Sequence, residues 1–369
     1  MRQTTKNGIT IQYPDAVGFA FLPCIIKASG SNLSSIEVII RYNKIEKERS
    51  YDVETLNGSC ITDFKTYVQA LFDGRINAAY DWTIGYDASV LNILVGIEVN
   101  AYDAGNVQLA SIDFTTNMVW GAPKYGETWN GYKRLTWFTH YPFSFGIYLS
   151  KLNTKLLIGY EGAPNKLLEI PTYGMMDFNA DELPSGARYW NIYDYDGEIQ
   201  QGTFDNTFDL TFCLSAGGKQ SLLLRIDRDD TESGIYLRWI DRHGFIRYWL
   251  FASGEETREI ASDLSFIRNN LGGYSDIYGY VGDSGRRQGY ERTDSIKLCA
   301  PLVDSNTFDM LQDLASSPVV DMYLGGDWMN EEDQWTSVTI KAGSYTKRTA
   351  CLQDFVCEMI INNINVQRL

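Results

Sequence analysis

Phe208-Asp209-Leu210-Thr211-Phe212-Cys213-Leu214 alternates apolar with polar or small residues, which places Phe208, Leu210, Phe212 and Leu214 on one face of an extended strand. The same period of two recurs at 17–28, 35–41, 90–102, 134–139, 145–149, 155–160, 221–227, 235–240, 245–251, 296–300, 319–324, 336–341 and 355–361. These runs are rich in β-branched and aromatic residues, which fit a pleated surface. The clearest hairpin spans Gly234 to Phe251, turning through Arg242-His243-Gly244, where Gly244 can take the positive φ that a tight turn needs.

Only two segments carry helical spacing. In the first, Thr62 is the expected cap, Asp63 suits the positive helix start, Phe64, Val68 and Leu71 form a stripe, and Gly74 ends it. In the second, Asn306 is the expected cap, Phe308, Leu311 and Ala315 form the stripe, and Ser316-Ser317-Pro318 stops it. Helices are thus expected near 62–73 and 306–316, each set between strands. The pattern predicts a mainly β protein of two β-sandwich or barrel-like modules, each with one short packing helix.

The 369 residues suggest two domains. Gly162-Ala163-Pro164, Gly174, Leu183-Pro184-Ser185-Gly186 and Gly197 crowd the middle of the chain, which puts the boundary near 203. The expected modules are 1–203, with an irregular Gly/Pro/aromatic insertion over about 103–203, and 204–369. No fixed-period repeat is present. With 24 Tyr, 17 Phe and 9 Trp and only 21% charged residues, the chain can bury a sizeable core.

Acidic residues outnumber basic ones, 47 to 32, for a net charge of −15. A field of that sign repels phosphate, and no Lys/Arg cluster offsets it, so specific nucleic-acid binding is not expected. Met1 to Pro23 has no apolar core of the signal-peptide kind, and no stretch reaches the roughly 18 apolar residues of a spanning helix, so neither export nor membrane insertion is expected. Cys24, Cys60, Cys213, Cys299, Cys351 and Cys357 lack CxxC spacing and read as reduced, mostly buried thiols of a cytosolic product.

Signals for catalysis are sparse. The two histidines, His140 and His243, lie at an aromatic strand end and in the hairpin turn, and read as turn or surface residues. Gly282-Asp283-Ser284-Gly285 reproduces the surroundings of a trypsin-like nucleophile, but Arg286 follows and no histidine has the partner context, so it reads as a loop. Asp194-Tyr195-Asp196-Gly197 has the middle of a calcium loop without its ends, since Ile192 and Thr203 stand where the outer ligands belong. Two further acidic groups are Asp227, Asp229, Asp230 and Glu232, and Asp327, Glu331, Glu332 and Asp333, with Trp328 and Trp335 beside the latter. Acidic turns serve solubility more often than metal or glycoside chemistry. Zinc spacing, P-loops, dinucleotide fingerprints, Gly-x-Ser-x-Gly and His-Glu-x-x-His are all absent. The expected catalytic, cofactor-binding and metal-binding sets are therefore empty. Trp120, Trp129, Trp137, Tyr125, Tyr132 and Tyr141 crowd a Gly-rich stretch and suit either core packing or an interface.

The hairpin Gly234–Phe251, the helix Phe308–Ala315 and the closing run from Trp335 to Leu369 resemble tail-region structural proteins of phages and prophages from gut Bacteroidales. Segment 17–72 is similar to the β-sandwich-plus-helix unit of tail-tube, distal-tail and tail-hub proteins. The resemblance covers about two thirds of the chain as pattern, has no catalytic motif, and leaves 103–203 without a counterpart. It implies a non-enzymatic virion protein, assembled in the host cytoplasm without a cofactor, forming a homo-oligomeric ring that contacts other tail proteins. In such a ring the acidic stretches 227–232 and 327–333 would face a DNA conduit or solvent. The alternatives are a β-sandwich module binding glycan or protein, and a hydrolase using two carboxylates about 5 to 10 Å apart.

Overall fold

A computed structural model describes residues 1–42, 47–56, 58–72, 85–124, 131–160, 166–197, 199–202, 211–214, 218–262, 266–268, 274–277, 279–280, 285–287, 290–325 and 334–361. The protein is mainly β, and its only two α-helices among these residues are α1 (Lys65–Leu71) and α2 (Ser305–Leu314). Two compact units divide the chain. Unit 1 comprises Met1–Thr231 with Ile240–Arg247, and unit 2 comprises Glu232–Trp239 with Tyr248–Leu369.

Unit 1 begins with a sandwich. One sheet has the order β1 (Arg2–Lys6), β2 (Ile9–Tyr13), β4 (Ile25–Ser29), β7 (Ser59–Asp63), and the other β3 (Val17–Phe19), β10 (Gln108–Val119), β9 (Asn92–Tyr102), β5 (Ser35–Tyr42), β6 (Lys47–Glu54). Alternation supplies the core: Ile36, Val38 and Ile40 of β5 and Val95, Ile97 and Val99 of β9 are all fully buried. Phe64, Val68, Leu71 and Phe72 bring α1 into the same core. Thr62 does not cap α1, because it is paired in β7 with Ile26. Asp63 instead takes the N–H groups of Lys65 and Cys24, each at 3.0 Å. The run 17–28 breaks into β3 and β4, which join different sheets. Leu22 N–H closes a turn onto Phe19 O, and Pro23 brings no N–H with which to continue a ladder.

The segment expected to be irregular, 103–203, is largely regular strand. It contributes β10 to the sandwich and most of a five-stranded sheet ordered β11 (Arg134–Phe138), β19 (Lys219–Asp229), β16 (Tyr189–Asp196), β13 (Thr154–Tyr160), β14 (Lys166–Ile170). A three-stranded sheet, β12 (Ser144–Leu149), β15 (Gly174–Asn179), β8 (Tyr86–Ala88), and the pair β17 (Ile199–Gly202) with β18 (Thr211–Leu214) complete it. Turn residues punctuate these strands without dissolving them. Within the five-stranded sheet Trp190 lies tilted against Trp137 at 5.4 Å, Trp137 stacks on Phe143 just ahead of β12 at 5.9 Å, and within the three-stranded sheet Phe145 stacks on Phe178 at 5.3 Å. The change of unit falls at Thr231, beyond the 203 expected from the Gly/Pro content, because β19 is laddered to both β11 and β16. Residues 208–210 of the opening motif lie outside the described residues.

Unit 2 is a closed barrel, β20 (Ile235–Ile240), β21 (Ile246–Ser262), β26 (Tyr290–Val303), β29 (Gln353–Ile361), β28 (Trp335–Ile340), β27 (Val320–Tyr323), with β27 returning to β20. Phe355, Cys357 and Met359 of β29 alternate inward. Phe308 of α2 meets Phe355 edge-on at 5.4 Å. The cap of α2 is Asp304, whose carboxylate takes Thr307 N–H at 2.8 Å, so the helix starts ahead of the expected Asn306.

β21 and β26 continue past the barrel. The last described pair of β26 with β29 is Asp294 with Ile361, whereas β21 and β26 stay paired as far as Ser262 with Tyr290. The pairs β22 (Phe266–Arg268) with β25 (Gly285–Arg287), and β23 (Tyr274–Ser275) with β24 (Gly279–Tyr280), keep the same antiparallel order towards a turn at Asp276 and Ile277. Ala252 to Ala261 are all exposed. This is a long two-stranded ribbon.

Candidate functional site

The densest set of buried charges lies in the hairpin turn between β20 and β21, in the part that groups with unit 1. Asp241 Oδ1 accepts the backbone N–H groups of His243 (2.8 Å) and Phe245 (3.0 Å), and Oδ2 accepts Arg247 Nε at 2.6 Å. Asp241, His243 and Arg247 are each about 2% exposed. Burial pushes the Asp241 carboxyl up, but the Arg247 charge, His243 and the Phe245 N–H more than reverse that and bring it down to about 2. The Arg247 guanidinium lies over the Phe245 ring at 4.8 Å, and Tyr132 meets the His243 ring edge-on at 5.4 Å. Phe245 itself packs in a small core with Phe19, Val119 and Met175. Gly244 adopts φ +84°, and a Cβ there would stand 2.5 Å from Val119 Cγ1 and 2.8 Å from Trp120 O.

His243 is therefore in the expected turn but is not a surface residue. Its Nδ1 stands 3.9 Å from Asp241 Oδ2, too far for the hydrogen bond that orients a catalytic base. The arrangement is chemically a clamp: one carboxylate holds both ends of a turn together. Sequence reading missed it, although Asp241 and Arg247, of opposite charge, stand on either side of the turn.

The other sequence candidates disperse. His140 is exposed, and its charge acts on Asp230. Asp230 accepts from Thr139 Oγ1 (2.7 Å) and Arg228 (2.7 Å), which together with His140 hold it below the usual carboxylate range. Asp227 pairs with Arg134 at 2.5 Å and Arg225 at 2.8 Å, and Asp229 takes the N–H and hydroxyl of Thr231. Arginines and local turns thus occupy this acidic group. Asp194 and Asp196 lie on β16 rather than in a loop, with Tyr195 buried between them, so they cannot wrap a cation as calcium loops do. Among the described residues no three His, Cys, Asp or Glu side chains converge as a metal set. Asp283-Ser284, Asp327, Trp328, Glu331, Glu332 and Asp333 lie outside the described residues, as do Trp129 and Tyr125.

Two carboxylates on the outward face of β5 and β9, Glu37 and Glu98, share the Asn100 amide at 3.3 and 3.0 Å. Asn100 and Arg41 keep Glu98 below the ordinary carboxylate range, the reverse of what a general acid needs. The aromatic group belongs mostly to cores: Trp120 packs on Phe21 (4.5 Å) and Phe72 (5.4 Å), and Trp137 on Phe143 and Trp190. Cys24, Cys60 and Cys357 are buried, Cys299 is half-buried and Cys351 exposed, all free. Burial pushes Cys24 and Cys357 up to about 12. No helix among the described residues is long and apolar enough to cross a membrane.

Comparison with protein-family models finds no match, and neither does comparison with curated proteins.

Proposed function

We propose that this chain is a non-enzymatic structural protein that assembles with copies of itself into a ring, as tail or tail-tip proteins of phage virions do, and contacts neighbouring virion proteins without a cofactor. The observation that carries the reading is the β21–β26 ribbon. A two-stranded ribbon is marginal on its own, and its open edges invite another chain. Past Asp294 neither β29 nor any other described strand adds to β26, and Ile260 is 65% exposed. Such an element suits assembly better than solution life as a monomer. The net charge of −15 suits a wall past which DNA slides without sticking. The ring is tested by native mass from light scattering together with negative-stain images: a closed oligomer is expected, and a monomer at every concentration overturns the reading. Duplex-DNA binding at low salt tests the conduit, since tight, steeply salt-dependent association contradicts it.

A further inference from the structure

The sandwich of unit 1 has a strand edge that the chain itself keeps shut. β10 is twelve residues long with one charge, Asp113, and neither proline nor glycine. β9 pairs with it from end to end, but on its other side β3 reaches only Asn117–Val119. Backbone groups alternate in direction along a strand, and Asn117 N–H and Val119 O both turn to the β3 side, bonding Ala16 O and Ala20 N–H. Ser111, Asp113 and Thr115 share that parity, so they present their backbone groups to the same side, where β3 no longer covers it. A long edge with so little charge is the kind that pairs with another chain.

β1 lies along this edge without pairing to it. It belongs to the opposite sheet, yet Arg2 Nη2 donates to Thr115 O at 3.1 Å, Lys6 Nζ to Ser111 O at 2.8 Å, and Asn7 Nδ2, in the turn that follows, to Leu109 O at 2.8 Å. The Arg2 guanidinium also covers the rings of Tyr13 (5.0 Å) and Phe114 (5.6 Å). Long side chains thus stand in for a ladder. Being donors, they occupy carbonyls only, and the N–H groups of Ser111, Asp113 and Thr115 have no hydrogen-bond partner among the described residues.

We propose that β1 is a strap over a latent self-pairing edge, and that β10 of a second copy is what the edge takes when the strap lifts. The edge complements itself. In an antiparallel register centred on Ile112, Ser111 faces Asp113 and Leu109 faces Thr115 as the hydrogen-bonded pairs, Ala110 faces Phe114, and no like charges meet. Such a contact is two-fold and closes on itself, so it is separate from the ring, which needs a contact that propagates. β1 and β2 precede β10 in the chain, so the strap is made before the edge it covers.

The test uses the full chain in a strap variant, Arg2→Ala with Thr4→Pro and Lys6→Ala. This removes two hooks, and a proline cannot donate to the β1–β2 ladder, so β1 is loosened on both sides. Light scattering should show the strap variant rising with concentration to twice the wild-type native mass, and hydrogen exchange at Ser111, Asp113 and Thr115 should slow as it does so. Adding Ser111→Asp sets a carboxylate opposite each Asp113 and should weaken the pairing about tenfold, whereas adding Ser111→Lys should keep it. Arg2→Ala with Lys6→Ala, which leaves the β1–β2 ladder whole, should double at higher concentration. Wild-type mass at every concentration from both variants, with thermal unfolding showing them folded, would overturn the strap. A doubling indifferent to the charge at position 111 would overturn β10 as the contact and place it at β2, the other edge that a loosened β1 uncovers.

Discussion

The two ends of β21 use charge in opposite ways. At its start, Arg247 is buried with Asp241 in a turn, and the carboxylate accepts two backbone N–H groups and the Arg247 Nε. Along its later half, Arg258 is exposed and stands 3.9 Å from an Asp294 that Arg292 already holds. Buried charges are costly unless partnered, so the first end, held by the single Asp241 carboxylate, is intolerant of losing it. Exposed pairs are screened and worth little, so the second end is permissive of substitution. One strand thus carries both a rigid anchor and an adaptable surface.

The contrast can be broken experimentally, most strongly at the clamp. Asp241→Ala leaves the Arg247 guanidinium buried without its counter-charge and orphans two backbone N–H groups, and should cost about 3–5 kcal/mol in urea unfolding. Adding Arg247→Met should restore a good part of that loss. Acid provides the next test. With a carboxyl at about 2 in the folded protein and about 3.9 in the unfolded chain, the Asp241 contribution is complete only above about pH 5 and fades as pH falls through 2, a loss on the order of 2–3 kcal/mol. Asp241→Asn should lose that component of the acid dependence, which urea midpoints at pH 5 and 2.5 will show. Gly244→Ala forces a methyl group against Val119 and the Trp120 carbonyl at φ +84°, and should cost about 2 kcal/mol by thermal unfolding. Ile260→Thr on the ribbon should move stability by less than about 0.5 kcal/mol. A loss there as large as at Gly244 would mean that the two ends are not different after all.

Much of the barrel was legible from pattern because its strands alternate cleanly: 235–240, 319–324, 336–341 and 355–361 all return as strands close to those limits. Both helices were legible in place but not in their caps: Asp304 rather than Asn306 caps α2, and at α1 the cap position is Phe64, without a side-chain cap bond, while Asp63 just ahead of it takes the Lys65 N–H. The region 103–203 misled because its glycines mark turns between strands, and period-two reading weakens where, as over Thr116–Val119, consecutive residues are all buried. The ribbon was hidden for the opposite reason. With both faces exposed, nothing in Glu255–Ser262 needs to alternate, so only the partner strand reveals it. The clamp was illegible because an Asp and an Arg six residues apart are unremarkable until a turn folds them together.

The eight residues Ile240–Arg247 complete unit 1, although the chain has already begun unit 2 at Glu232. During synthesis the first unit therefore stays unfinished after its own uninterrupted segment has emerged, for the further sixteen residues between Thr231 and Arg247. At 5 to 20 residues per second that is a wait of roughly one to three seconds, with the surfaces around Val119 and Gly121 still unfilled. No single scission of the gene yields both units intact. A fragment ending at Thr231 lacks its plug, and one beginning at Glu232 carries that plug with nothing of its own to fill.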